Sequence, residues 1–136
     1  MTCYIRGMRQ HATGTFTTRF EPMPIEDDTL SRMAVERTIE GDLTGWGRGE
    51  MLSVGTPIEG SAGYVLIERI TGTLHGRTGS FLLQHSGLMD RGASTLAVTV
   101  VPDSGTDELI GLRGQFRIEE VSGTHRYVFT YERRPG

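Results

Sequence analysis

The stretch Gly63-Tyr-Val-Leu-Ile-Glu-Arg-Ile-Thr-Gly-Thr-Leu74 decides the fold class of this chain. In an extended strand its side chains alternate between two faces, and both faces are largely apolar. One of these faces carries Tyr64, Leu66, Glu68 and Ile70. A strand that is apolar on both sides needs two covers. We expect the interior of a β-structure to be one cover and a partner subunit or a terminal segment to be the other.

The rest of the chain repeats this pattern of short apolar runs between turns. The runs are rich in Thr, Val, Ile, Phe and Tyr, and glycine-containing turn signals separate them. They predict eight strands near His11–Phe20, Arg32–Gly41, Gly45–Val54, Gly63–Leu74, Gly79–Leu88, Gly92–Val101, Gln115–Val121 and His125–Glu132. Eight short strands at this spacing are typical of an antiparallel barrel or a sandwich.

Two segments fit a helix. The residues from Leu30 to Arg37 match a helix face as well as a strand, and local propensity does not decide between them. The residues from Thr106 to Gly111 predict one helical turn, because Thr106 is a favourable cap and two acidic residues follow it. Pro22, Pro24, Pro57 and Pro102 are expected between strands, where a missing backbone donor is harmless.

Length and charge limit the function classes. The 136 residues form one domain by size, with residues 10–134 in the domain and residues 1–9 as a flexible extension. The 14 basic residues are all Arg against 17 acidic ones, and this surplus of acid argues against nucleic-acid binding. No apolar run is long enough to span a membrane, and no secretory signal is visible. Met8 is an alternative start.

The lone cysteine and the scattered histidines bear on compartment and metals. Cys3 excludes an internal disulfide, and we therefore expect a reducing compartment, most simply the cytoplasm. His11, His75, His85 and His125 show no metal-ligand spacing, so no metal site is expected.

Several motifs in order resemble one family. They are Ile70-Thr-Gly-Thr-Leu-His-Gly-Arg-Thr-Gly-Ser-Phe-Leu-Leu-Gln-His-Ser-Gly87, His11-Ala-Thr-Gly-Thr-Phe16, Thr99-Val-Val-Pro-Asp-Ser-Gly-Thr106 and Glu108-Leu-Ile-Gly-Leu-Arg-Gly114. Over Gln10 to Glu132 the chain resembles a bacterial family of uncharacterised proteins, domain of unknown function 3224 (DUF3224). That family is similar to the allene oxide cyclases, and Ser104-Gly-Thr-Asp-Glu-Leu-Ile-Gly-Leu-Arg-Gly-Gln-Phe-Arg-Ile118 is the closest echo of them.

The resemblance implies a single eight-stranded antiparallel β-barrel, and it favours a strand at Arg32–Gly41. It also implies a barrel mouth that admits a hydrophobic small molecule and chemistry without metal or cofactor. No residue matches the catalytic polar set of the cyclases, so no catalytic residue is transferred. Cys3 precedes the matched region and does not replace a cavity cysteine.

Glu68 is the candidate catalytic residue, because it interrupts an otherwise apolar face. A buried carboxylate is either paired or protonated, and both states suit a general acid or base. The alternative is a structural ion pair with Arg69 or with an arginine on a neighbouring strand.

Candidate ligand-binding residues are Trp46, Tyr64, Gln84, His85 and Tyr127. Gln84 and His85 are adjacent in a strand, so at most one of them faces a cavity. Trp46 lies between closely spaced glycines in Gly45-Trp-Gly-Arg-Gly49, which we interpret as bends or bulges at a barrel corner. Tyr127 shares a face with Phe129 and Tyr131, where interior packing is the alternative.

Three functions remain open at this point. The first is a cofactor-independent cyclase or isomerase acting on a hydrophobic molecule. The second is a carrier that binds such a molecule without changing it. The third is a filled barrel that binds another protein. In each case the apolar outer face predicts a homo-oligomer, most simply a dimer.

Overall fold

The chain folds into a closed antiparallel β-barrel of eight strands in sequence order. The computed structural model describes residues 9–134, so most of the expected N-terminal extension, with Met8, lies outside the described part. The strands are β1 (Gln10–Met23), β2 (Leu30–Gly41), β3 (Leu43–Gly55), β4 (Ala62–Leu74), β5 (Arg77–Asp90), β6 (Ala93–Val100), β7 (Leu112–Val121) and β8 (Thr124–Arg133). Each strand pairs with the next, and β8 pairs with β1 to close the barrel. This confirms the expected fold class.

Two local predictions are confirmed and one is corrected. The ambiguous segment near Leu30 is a strand, and a single 3-10 turn spans Asp107–Leu109. Pro22 does not fall between strands: it lies near the end of β1, opposite Met33 of β2. The last residues of β1 sit at the rim of the barrel, where a proline is tolerated more readily than in the middle of a sheet.

One half of the barrel is filled, and we call it the closed half. It lies toward the β2–β3 and β4–β5 turns and toward segment 101–111, which connects β6 to β7. Its interior is packed with fully buried side chains, among them Leu43, Leu74, Phe81, Leu109, Leu112 and Phe129. The ring of Phe129 stacks on Phe116 with centroids 4.0 Å apart and on Phe81 at 5.9 Å. Burial of such large apolar groups supplies most of the driving force for folding.

Segment 101–111 covers the end of the closed half. The strand β6 stops at Val100, and the segment continues along β5: the Leu82 amide donates to Ser104 Oγ at 3.0 Å and the Thr106 amide donates to the Ser80 carbonyl at 2.8 Å. The 3-10 turn then places Leu109 in the core. The segment therefore satisfies backbone groups of β5 that no longer have a partner on β6.

The opposite half has fewer interior contacts, and we call it the open half. It lies toward the β1–β2, β3–β4, β5–β6 and β7–β8 connections. Its inward-facing residues include Phe20, Met89 and Leu96, which remain 54%, 41% and 48% exposed. The β6–β7 ladder has two register pairs, Val98 with Phe116 and Thr99 with Gln115. The strands therefore separate toward the open end.

The outer surface of β3, β4 and β5 is apolar, as the two-faced pattern of β4 predicts. Its exposed side chains are Leu52, Val54, Val65, Ile67 and Leu88. Leu52 is the register partner of Val65, so these side chains form one patch across neighbouring strands. We call this set the outer patch. Among the described residues, no helix is long and apolar enough to cross a membrane.

Candidate functional site

An ion-pair cluster lies inside the barrel at the boundary between the two halves. Glu68 of β4 is 1% exposed and accepts hydrogen bonds from two side chains. The Nε of Arg37 lies 3.2 Å from both carboxylate oxygens, and the Nε2 of His85 lies 3.1 Å from Oε1. Arg37 Nη1 also donates to Thr18 Oγ1 at 2.9 Å. We call Arg37, Glu68 and His85 the floor cluster.

Strand order explains how these three side chains meet. The residue opposite Glu68 on β5 is Leu83, and His85 lies two residues further along β5, so His85 and Glu68 are on neighbouring strands and on the same face. Arg37 is on β2, and β3 lies between it and Glu68. The arginine therefore has to extend across the inner surface of β3 to reach the carboxylate.

Two glycines of β3 make this crossing possible. Gly47 is the register partner of Arg37, and Gly49 is the partner of Glu68. A Cβ at Gly47 would lie 3.4 Å from Arg37 Cβ and 2.8 Å from Ile70 Cδ1, and one at Gly49 would lie 2.6 Å from Glu68 Cα. The glycines of Gly45–Gly49 thus face inward and leave room for the ion pair.

Glu68 is ionised in this environment. Burial by itself raises the pKa of the Glu68 carboxyl, but the hydrogen bond from His85 and the positive charge of Arg37 outweigh burial and hold the pKa below its ordinary value. An ionised carboxylate only accepts hydrogen bonds, so His85 Nε2 carries a hydrogen and donates it. Glu68 therefore fixes both the orientation and the tautomer of the imidazole.

A cavity of about 680 Å³ lies above the floor cluster in the open half. Its apolar lining residues are Phe16, Phe20, Met51, Leu66, Leu96 and Ile118. Arg37, Tyr64 and His85 supply polar groups near the floor, and threonines of β1 and β8 together with His125 also line the cavity. Leu96 and Ile118 stand on either side of the gap between β6 and β7. Below the cluster the interior leaves about 20 Å³, room for about one water molecule. The floor cluster is thus the polar bottom of an apolar cavity.

Two residues of the floor cluster that line this cavity keep a polar atom without a partner. Arg113 Nε is the one fully buried side-chain nitrogen or oxygen without a partner among residues 9–134. His85 Nδ1 and Arg37 Nη2 have no partner in that range either, so these atoms are not fully buried, and both residues line the cavity as well as the small space beneath it. A ligand in the open half meets one ring nitrogen and one guanidinium nitrogen.

Tyr64 lies beside these atoms. Its ring packs against Gly87 of β5, where a Cβ would come within 2.3 Å of the ring. Burial raises the pKa of the Tyr64 hydroxyl above its ordinary value; the charge of Arg37 opposes this effect and that of Glu68 adds to it. The hydroxyl therefore stays protonated at neutral pH and is available as a donor.

The structure shows which of the other residues expected at the site lie in the cavity and which lie on the outer surface. Trp46 and Gln84 point outward and are exposed, which corrects the prediction that they line the cavity. Side chains alternate along a strand, so the inward glycines of β3 place Trp46 on the outer face, and the inward His85 places Gln84 there as well. Trp46 instead packs under the Arg48 guanidinium, 5.0 Å away. Arg69 also points outward, and the partner of Glu68 is Arg37.

Tyr127 is buried below the floor cluster. Its hydroxyl accepts from the Leu43 amide at 3.0 Å and lies within 3.1 Å of the Glu40 and Leu43 carbonyls. These bonds tie β8 to the turn between β2 and β3. Its ring borders the small interior space and not the open cavity. No group of three or more His, Cys, Asp or Glu side chains with metal-site geometry occurs within residues 9–134.

Comparison with known proteins extends over the whole barrel. A family model described as "Protein of unknown function (DUF3224)" matches residues 12–131. The chain is also similar to a crystal structure of a protein with unknown function from the DUF3224 family of Shewanella oneidensis MR-1. That similarity has 41% identity and a TM-score of 0.91, and it covers 95% of this chain and 100% of the other. No curated protein matches the chain.

Proposed function

The chain belongs to the DUF3224 family of proteins of unknown function, and from the geometry of its barrel we propose that the open half binds an apolar small molecule. The observation that carries the proposal is the cavity itself, about 680 Å³ with mostly apolar walls and a few converging polar groups at its bottom. Small-molecule sites commonly enclose about 300–1,000 Å³ and have this distribution of polar and apolar groups. The filled closed half supplies the rigid support beneath it.

Exposed apolar side chains at the mouth support the same function. Phe20, Met89 and Leu96 face inward at the rim, and their side chains are about half exposed. A ligand that covers them removes apolar surface from water, and each buried methylene contributes about 0.8 kcal/mol. An adjoining cavity of about 470 Å³ shares Met51, Tyr64 and Leu96 with the first, which extends the apolar region along β3 to β6.

Decanol binding to two tryptophan variants of β3 tests this proposal. Met51 lines the cavity and Leu52, its neighbour, points outward in the outer patch. Met51→Trp fills the cavity and should weaken decanol binding by about tenfold or more, which corresponds to displacing two methylenes from apolar contact. Leu52→Trp is the matched control and should leave binding unchanged. Equal affinities for the three proteins, or no decanol binding by the wild type, would refute the proposal.

The floor cluster favours a second candidate function, a cofactor-free isomerase or cyclase. A buried ionised carboxylate that orients a histidine is the arrangement that activates histidine as a proton-transfer group. Both oxygens of Glu68 are already occupied, so the group that would move a proton of the ligand is His85, through Nδ1. Glu68 would act as a positioning residue.

Incubation with a lipid extract separates a carrier from an enzyme. An enzyme depletes one extract component and forms an isomer of the same mass with a different retention time in liquid chromatography, and His85→Gln abolishes the change. A carrier returns the component unchanged from both proteins. In either case native mass spectrometry of freshly purified wild type should show the retained molecule.

A further inference from the structure

We infer that the ligand of the open half carries a carboxylic acid group, and that this group shares its proton with His85 Nδ1 while its second oxygen accepts from Arg37 Nη2. The inference rests on the proposed binding function and names the polar end of the ligand. It concerns the bound ground state and holds for a carrier and for an enzyme.

The hydrogen-bonding capacity of the floor cluster points to this group. His85 Nε2–H is held by Glu68, and in the tautomer that carries its hydrogen at Nε2 the lone pair is at Nδ1. Arg37 presents an N–H donor at Nη2, because its Nε and Nη1 are engaged by Glu68 and Thr18. A carboxylic acid complements this pair: its O–H donates to the lone pair and its carbonyl accepts from the guanidinium.

Charge balance points the same way. The charge of Arg37 is already compensated by Glu68, so Arg37 has no spare positive charge for a carboxylate anion. An anion placed in an apolar cavity without compensation is strongly disfavoured. The bound acid avoids this because one proton is taken up with it, residing on the ligand oxygen or on His85 Nδ1. Binding of a carboxylate from neutral solution is therefore accompanied by uptake of one proton.

The other titratable groups around His85 do not provide that proton. Glu68 is ionised and saturated, and the Tyr64 hydroxyl is held protonated by burial. The neighbour of His85 on β6, Val98, is apolar. His125 lines the same cavity at its rim, half exposed, with Glu120 as a partner at 3.7 Å. His125 is thus the alternative site for the proton: it lies in the same cavity but away from the floor.

Isothermal titration calorimetry with decanoate, methyl decanoate and decanol tests the inference. Titrations in phosphate and in Tris buffer at one pH give the number of protons taken up from the difference in heat. We expect one proton per decanoate and none for the ester or the alcohol. We also expect decanoate to bind about tenfold more tightly than the ester. Raising the pH from 7 to 9 should weaken decanoate binding by about tenfold per pH unit, because one proton is taken up.

Two histidine variants locate the proton. In His85→Gln the amide nitrogen takes the place of Nε2 and still donates to Glu68, while Nδ1 is lost. This variant should bind decanoate about tenfold more weakly or worse, take up no proton and bind decanol as the wild type does. His125→Gln should still take up one proton per decanoate, and it is compared with His85→Gln by this proton count and not by affinity.

The outcomes keep the two proposals apart. Equal binding of acid, ester and alcohol without proton uptake overturns the carboxylic acid and leaves the apolar site standing. Loss of proton uptake in His125→Gln but not in His85→Gln overturns the assignment to the floor cluster. Failure of all three probes to bind overturns the apolar site and the acid together.

Discussion

The closed and open halves of the barrel are built from the same strands, but the interior of the first is filled and the interior of the second is not. In the closed half, inward positions carry Phe and Leu side chains that fill the interior, and segment 101–111 covers the end. In the open half, the apolar side chains at inward positions leave a cavity between them, and the floor cluster lies at the bottom of this cavity. The difference indicates that stability resides mainly in the closed half, and the binding function that we propose belongs to the open half, so the two should be separable by mutation.

Removing one phenylalanine from each half gives the largest expected contrast. Phe129 is fully buried in the closed half, and Phe20 is 54% exposed at the rim. Phe129→Ala should lower the free energy of unfolding by about 3–5 kcal/mol, because it leaves a cavity in a packed core. Phe20→Ala should lower it by about 1 kcal/mol or less, because little buried area is lost. Urea denaturation measures both, and losses of similar size would erase the distinction.

Glu68→Gln tests how much the floor cluster, at the boundary between the halves, contributes to the free energy of unfolding. It leaves Arg37 without its counter-charge and should cost about 3 kcal/mol at pH 7. The matched control is Glu50→Gln, which removes an exposed pair with Arg32 and should cost about 1 kcal/mol or less.

The pH dependence of this loss has a definite sign. The pKa of Glu68 in the folded state lies below its ordinary value of 4.5, so its ionisation stabilises the fold above that pH. The contribution is lost as the pH falls through the folded pKa. The difference in unfolding free energy between wild type and Glu68→Gln should therefore shrink between pH 5 and pH 2. A constant difference over that range would mean that Glu68 is not ionised in the fold.

Tyr127→Phe and Tyr64→Phe compare the two halves by removing one hydroxyl from each, and the expected changes in stability are smaller. It removes the hydroxyl that bonds the Leu43 amide in the closed half, and should cost about 1–2 kcal/mol. Tyr64→Phe removes a hydroxyl that faces the cavity and should change stability by less than about 0.5 kcal/mol. Thermal melts separate them, and a larger loss for Tyr64→Phe would place structural hydrogen bonds in the open half.

The outer patch belongs to neither half, and here we expect the smallest change in barrel stability. We propose that it joins two copies of the chain as a homodimer, since its exposed apolar side chains cover neighbouring strands. Val65→Arg should then give a 15.0 kDa monomer in light scattering, with the barrel's stability changed by about 0.5 kcal/mol. Thr38→Arg, on the outer surface of β2, is the control. A monomeric wild type at micromolar concentration would contradict the dimer.

Much of the fold follows from the sequence because alternation of side chains sets both the strands and their faces. The face of β4 with Tyr64, Leu66 and Glu68 does point inward, and Glu68, the one carboxylate on this apolar face, belongs to the floor cluster. The family resemblance is confirmed by the match to residues 12–131, and the further likeness to allene oxide cyclases stays a prediction.

The sequence did not reveal Arg37 as the partner of Glu68. The two residues are 31 positions apart and lie on strands separated by β3, so no local spacing connects them. The available signal was the alternation of glycines at Gly45, Gly47 and Gly49, which we interpreted as bends. Their shared parity also places Trp46 on the outside, and the same reasoning about parity leaves His85, not Gln84, in the cavity.

The short β6–β7 ladder has a consequence for motion. With two register pairs, this seam holds far fewer backbone hydrogen bonds than the other seven, and the residues of β6 and β7 beyond it border the open cavity. Local opening begins where the fewest contacts have to break. Backbone amides at Leu96 and Ile118 should therefore exchange with deuterium long before those of β4, and an occupant of the cavity should slow them. A molecule of the kind that we propose would then enter the barrel through its side as well as through its mouth.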